Sequence, residues 1–128
     1  MFTQEDEDLI QKEFEQLREA SKKRCADEEQ YNLVIKAFEF ANKAHWDVRR
    51  RSNEPYILHP IAVAKIVVNE IGLGCKSICA ALLHDVVEDT EYTVEDIRMQ
   101  FGDRIALLVD GLTKIKTALD QDSMKPQE

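Results

Sequence analysis

Apolar residues recur at helical rather than strand spacing along most of this chain, and that periodicity predicts a succession of helices. Residues 5–23 are highly charged but place Leu9, Ile10, Phe14 and Leu17 at intervals that suit one amphipathic helix. Residues 28–46 repeat the pattern more strongly, with Tyr31, Val34, Ala37, Phe38, Ala41 and Ala44 on one face. The pattern then stops. From Asp47 to Tyr56 the chain is polar and contains Asn53-Glu54-Pro55, which reads as a loop. Pro60 suits the opening of a third helix, from Ile61 to Ile71, with Gly72 as its stop. A helix that is apolar almost all round is expected from Lys76 to Asp89. Thr93 and Asp96 have the spacing of a capping box and begin a short helix that ends at Gly102. Asp103 to Lys116 is expected to be the last helix, with Ile105, Leu108, Leu112 and Ile115 as its core stripe, followed by a polar, frayed tail from Asp120 to Glu128.

The expected fold class is therefore all-α, and composition supports it. Gly and Pro number only 4 and 3, which leaves few sites for the turns of a strand-rich fold. A length of 128 residues suits one domain. No apolar run approaches bilayer length, and the acidic N-terminus has no signal-peptide core, so a cytoplasmic protein without membrane contact is expected. A net charge of −8 argues against a nucleic-acid binder. It does not exclude an anionic nucleotide, provided that basic residues or a metal gather at one place. Cys25, Cys75 and Cys79 follow no zinc-finger or CxxC spacing and read as small buried thiols, although Cys75 and Cys79 could share a helix face.

The stretch with the most chemistry is Leu82-Leu83-His84-Asp85-Val86-Val87-Glu88-Asp89. On a helix, His84 with Glu88 and Asp85 with Asp89 are i,i+4 neighbours, so all four form one polar stripe on an otherwise apolar helix. Three carboxylates on one side of a buried helix repel one another and lose hydration, and a divalent metal offsets both penalties. Imidazole beside carboxylate suits an ion such as Mn, Fe or Zn. The alternative is a helix end with an acidic, solvated face. His59, fixed between Tyr56-Ile57-Leu58 and Pro60, is a candidate third ligand or else a partly buried cap. His45 has no acidic partner at helical spacing and reads as structural. Arg49-Arg50-Arg51 is a dense basic cluster; its planar guanidinium groups suit phosphate, or else pair with neighbouring acidic helices.

Three segments together resemble the RelA/SpoT homologue family. Arg50-Arg51-Ser52-Asn53-Glu54-Pro55-Tyr56-Ile57-Leu58-His59-Pro60 is similar to its RKSGEPYIxHP segment, and Ala80 to Thr90 is similar to its AALLHDVVEDT helix. Phe101-Gly102 with Leu108-Val109-Asp110-Gly111-Leu112-Thr113-Lys114 resembles its FG…LVDGVTK stretch. The likeness covers roughly Tyr31 to Ile115 in the family's order and spacing. It implies an HD-domain helical bundle of about six helices, C-terminally truncated. The amphipathic N-terminal helix would occupy residues 1–27, the motif-bearing core 28–116 and the polar tail 117–128.

The resemblance also implies an activity: metal-dependent hydrolysis of the 3′-pyrophosphate of (p)ppGpp to GDP or GTP and pyrophosphate. By position, His59, His84 and Asp85 would bind one Mn²⁺, Glu88 and Asp89 would act on water and its proton, and Arg50, Arg51 and Ser52 would contact the guanine nucleotide. The alternatives are an HD phosphohydrolase acting on another nucleotide and a non-catalytic regulatory nucleotide-binding module. The sequence departs from the family at Arg51 (Lys there), at Asn53 (Gly there) and at Asp47-Val48 (Gly-Gln there). The family's fourth metal ligand, an Asp in a later ADRLHNMR-like segment, has no counterpart. The chain is accordingly expected to be part of a longer protein, with a synthetase domain as a candidate neighbour. By itself, with apolar surface uncovered around Val86, Val87, Leu108 and Leu112, it should self-associate or repack its C-terminal helix, bind metal weakly and hydrolyse little or nothing.

Overall fold

The computed structural model describes residues 1–124, with side chains as far as residue 115. Among the described residues there are six α-helices and no strand. They are α1 (Gln4–Lys22), α2 (Glu28–Ala44), α3 (Leu58–Ile66), α4 (Cys75–Asp89), α5 (Val94–Phe101) and α6 (Asp103–Met124). The all-α expectation holds.

Helix α4 occupies the centre, packed against α2, α3 and α6. Its composition explains the position: Ile78, Cys79, Ala80, Ala81, Leu82, Leu83 and Val86 are all buried, so nearly every face needs a neighbour. Truncating a core residue such as Leu82 to Ala would cost about 2–5 kcal/mol. Helix α1 lies across α2 and α3 and is secured by the capping box of Thr3 and Asp6. Its buried stripe is Ile10, Phe14, Leu17 and Ser21, with Leu9 exposed. Phe14 stacks on Phe38 of α2 at 3.8 Å between ring centroids. The box of Thr93 and Asp96 opens α5 as expected.

Three expectations need correction. Helix α3 opens at Leu58 rather than after Pro60, because a proline inside the first turn needs no N–H partner. It then passes into a π-helical segment, Val67–Ile71, before Gly72 ends it in the left-handed region at φ 77°. The last helix continues to Met124, so the frayed tail is helical as far as it is described; residues 125–128 lie outside the described residues. The buried stripe of α6 is Ile105, Ala106 and Val109. Leu108 is only partly buried, and Leu112 and Ile115 are exposed, because α6 meets α4 and α5 chiefly through its first turns.

The cysteines are free thiols. Cys75 and Cys79 are buried, and Cys75 donates its S–H to the Gln30 carbonyl at 2.7 Å. Burial first, and the adjacent Cys75 second, push the Cys25 thiol up to about 12.

Candidate metal and active site

The site lies where the start of α3, the loop before it and the C-terminal half of α4 meet. The loop is shaped by its own backbone. Arg50 N–H donates to the Glu54 carbonyl at 2.9 Å, Asn53 N–H to the Arg50 carbonyl at 2.8 Å, and Tyr56 N–H to the Val48 carbonyl at 2.8 Å. Asn53 adopts φ 73°, a conformation that Gly or Asn accepts most readily, so the turn survives the replacement of the family's Gly. This fold-back delivers Tyr56 and then His59, in the first turn of α3, to α4.

Asp85 is fully buried and is the group on which the site converges. Tyr56 Oη donates to its Oδ2 at 2.8 Å. His59 Nε2 lies 4.0 Å from that same oxygen, and His84 Nε2 lies 3.2 Å from Oδ1. Burial, then the Asp85 carboxylate, push the Tyr56 phenol well above its usual range, so it remains a donor. His84 Nδ1 is 2.6 Å from the carbonyl of Ala81. A carbonyl only accepts, so Nδ1 carries the hydrogen and, in the neutral ring, Nε2 presents its lone pair.

The four-residue polar stripe expected on α4 is split. Asp85 points inward, His84 is mostly covered, and Glu88 and Asp89 are exposed in the last turn. Only one carboxylate therefore bears the full desolvation penalty, because the stripe runs out of the core as the helix ends. His45, read as structural, packs at the same place. It is buried, and its Nε2 lies 3.2 Å from Asp89 Oδ2. Its acidic partner belongs to another helix, so helical spacing within α2 could not find it. Tyr56 was missed as a site residue; the one available signal was a phenol placed three residues before a candidate ligand histidine.

The arginine triplet divides. Arg49 binds Asp6 at 2.6 Å and the Asn53 carbonyl at 2.9 Å, tying the loop to α1. Arg50 lies 3.8 Å from Glu54 Oε1, and Ser52 Oγ donates to that oxygen at 3.2 Å. Arg51 is exposed. A cavity of about 330 Å³ is lined by Arg50, Glu54, Leu58 and His59, so an arginine of the loop and an imidazole of the site share one opening. A second, apolar cavity of about 210 Å³ lies on the other side, lined by His84 with Val67, Leu73, Leu108 and Leu112.

The pattern of the HD domain family matches residues 37–128. The chain belongs to the HD domain family. This HD domain is 49% identical over 82 residues to the guanosine-3′,5′-bis(diphosphate) 3′-pyrophosphohydrolase of Aquifex aeolicus, covering 64% of this chain and 12% of that protein. It is 49% identical over 82 residues to the GTP pyrophosphokinase of Streptomyces coelicolor, covering 64% and 10%. To the bifunctional (p)ppGpp synthase/hydrolase SpoT of Escherichia coli it is 41% identical over 100 residues, covering 78% and 14%. The chain thus spans between a tenth and a seventh of the length of these relatives.

An HD hydrolase domain implies a divalent metal, and the donor set can be tested against one. Imidazole nitrogen and carboxylate oxygen bind such ions at about 2.0–2.2 Å, so two ligands of one ion stand at most about 4.4 Å apart. The separations of 3.2 Å and 4.0 Å from Asp85 meet that limit pairwise. His84 Nε2 faces the Oδ1 carboxylate oxygen, so a proton on that nitrogen or a metal ion beside it satisfies both groups. Among the described residues, no three His, Cys, Asp or Glu side chains are already closed into a metal-binding group. The donor types fit a divalent metal, and each histidine stands within ligand reach of one oxygen of Asp85, His84 at Oδ1 and His59 at Oδ2. Among the described residues, no helix is long and apolar enough to cross a membrane.

Proposed function

We propose that this HD domain is the metal-bearing part of a (p)ppGpp 3′-pyrophosphohydrolase of RelA/SpoT type. Residues 28–116 form its motif-bearing core, and residues 1–27 its leading helix. The observation that carries the reading is the approach of His59 and His84 to the two oxygens of buried Asp85, within segments that match proteins of that activity. Manganese suits a site of two imidazoles and a carboxylate, and the cytoplasm is the compartment we assign. A synthetase domain in the parent chain is part of the same proposal.

His59, His84 and Asp85 would hold the metal, which when bound supplies Lewis acidity and offsets phosphate charge. Tyr56 donates to Oδ2 of Asp85, and His84 Nε2 faces Oδ1. Glu88 and Asp89, exposed beside it on the last turn of α4, orient the attacking water and accept its proton. Arg50 and Arg51 hold phosphate oxygens as negative charge builds on them, and Ser52 adds a hydroxyl. A bond forms between water oxygen and the phosphorus nearest the ribose 3′-oxygen. The 3′-oxygen–phosphorus bond breaks, the 3′-hydroxyl gains a proton, and pyrophosphate departs.

The test measures pyrophosphate release from ppGpp with Mn²⁺, using this chain and the same chain within its longer parent. Mn-dependent release by the parent that is lost in His84→Ala is the expected result. A parent that instead hydrolyses dNTPs or cyclic dinucleotides, or nothing, overturns the proposal.

A further inference from the structure

Two aromatic rings outside both the ligand set and the arginine loop stand against the carboxylates of α4. His45, the residue that ends α2, is 2% exposed, and its Nε2 lies 3.2 Å from Asp89 Oδ2. Tyr56 donates to Asp85 Oδ2 at 2.8 Å. The rings pack against each other in a tilted arrangement, their centroids 4.7 Å apart and their planes inclined by 33°. One packed pair therefore reaches two carboxylates one helical turn apart.

We infer that the packed His45–Tyr56 pair is a positioning device: His45 aims Asp89 and Tyr56 orients the carboxylate of Asp85. The purpose of the device rests on the hydrolase reading above; the contacts do not.

Packing alone does not account for His45. A carboxylate only accepts, so the nitrogen facing Asp89 must carry the hydrogen. The other nitrogen, Nδ1, is buried with no hydrogen-bond partner. An apolar residue of similar volume would fill the space without leaving a buried polar atom unsatisfied. What the imidazole adds is a rigid N–H aimed at Asp89. That donor matters because Asp89 ends α4, where the helix dipole disfavours negative charge and no basic residue lies in the last turn. Asp89 is also 42% exposed and would otherwise sample several rotamers. Holding Oδ2 restricts the rotamers from which Asp89 takes a proton. Tyr56 sorts Asp85 in the same way, holding Oδ2 and leaving Oδ1 beside His84. Because the rings are in contact, displacing one removes packing from the other.

The experiment follows the side-chain carboxyl ¹³C resonances of Asp85 and Asp89 in the metal-free chain at pH 7. His45→Leu should move the Asp89 signal more than that of Asp85, and Tyr56→Phe should do the reverse. His45→Gln, whose amide keeps an N–H near the same place, should hold Asp89 close to wild type. In the parent protein, His45→Leu should lower kcat about tenfold, as loss of a supporting hydrogen bond does, with KM for ppGpp unchanged and most of kcat restored by His45→Gln. An unmoved Asp89 signal in His45→Leu, or a glutamine variant as impaired as the leucine one, overturns the inference. Should His45→Leu not fold, Asp89→Asn, at an exposed helix end, decides: it must shift the His45 Nε2 ¹⁵N resonance, and no shift overturns the inference. A parent inactive on ppGpp defeats the hydrolase reading alone, because the resonances still report the contacts.

Discussion

His84 Nε2 and Asp85 Oδ1 face one another at 3.2 Å although neighbours in sequence, and the hydrogen of the neutral His84 ring is committed elsewhere, to the Ala81 carbonyl. A protonated His84 pairs there with the buried carboxylate, and a neutral one turns its Nε2 lone pair towards it.

Asp85→Asn follows directly from that arrangement. The amide keeps an acceptor for Tyr56 and removes a buried charge whose desolvation is costly. The metal-free variant should gain about 1–3 kcal/mol in urea unfolding, while its Mn²⁺ affinity by calorimetric titration drops at least about 100-fold. A variant that is less stable and binds Mn²⁺ like wild type would remove Asp85 from the ligand set.

Arg49 should behave differently from its two neighbours. Because it ties Asp6 and the Asn53 carbonyl, Arg49→Ala should loosen the loop and lower the melting temperature. Arg51→Ala should leave stability within about 0.5 kcal/mol, as exposed substitutions usually do. In the parent protein it should raise KM for ppGpp about tenfold, the loss expected of one charge-assisted contact. Equal effects of the two changes on melting and on KM would contradict this division.

Acid should release the same tie. The Arg49 guanidinium, with the Thr3 backbone N–H second, lowers Asp6 from 3.8 to about 2. A carboxylate whose folded pKa is depressed contributes stability that is fully present above its unfolded value and is lost as pH falls through the folded one. The anchoring of α1 to the loop is therefore expected to persist at pH 5 and to fade between about 4 and 2. An Asp6 titration by NMR checks this: in Arg49→Met its midpoint should move back towards 3.8. An unchanged midpoint would assign the shift to the helix cap alone.

Most of the helical framework was legible because it depends on local periodicity and caps. Thr93 with Asp96 and the apolar run around Leu82 have no other sensible reading. Within the site, His59, His84 and Asp85 could be named from one helix and one helix start. Their relation to Tyr56 could not, since it depends on how the loop between α2 and α3 folds back. The contact of His45 with Asp89, 44 residues away, was out of reach for the same reason. The stripe of α6 failed differently. A period near 3.6 fits several adjacent faces of an apolar helix, and only the position of α4 selects Ile105, Ala106 and Val109.

That selection leaves apolar surface outside the core, and it is not where Val86 was expected to contribute, since Val86 is fully buried. Leu112 is 40% exposed and Ile115 60%. Leu112 lines the apolar cavity beside His84 together with Val67 and Leu73, and Leu73 is itself exposed. The uncovered residues thus continue from α6 across the hollow to the end of α3, rather than standing singly. Contiguous apolar patches beyond a few hundred Å² are uncommon on monomers, and a second copy of the chain can cover this one by symmetry. The chain is expected to elute above its monomer mass in light scattering at high micromolar concentration. Leu112→Glu combined with Ile115→Glu should return it to a monomer with its helical circular dichroism intact, because neither residue lies in the core. A wild-type chain that stays monomeric throughout the concentration series would show that this surface remains solvated.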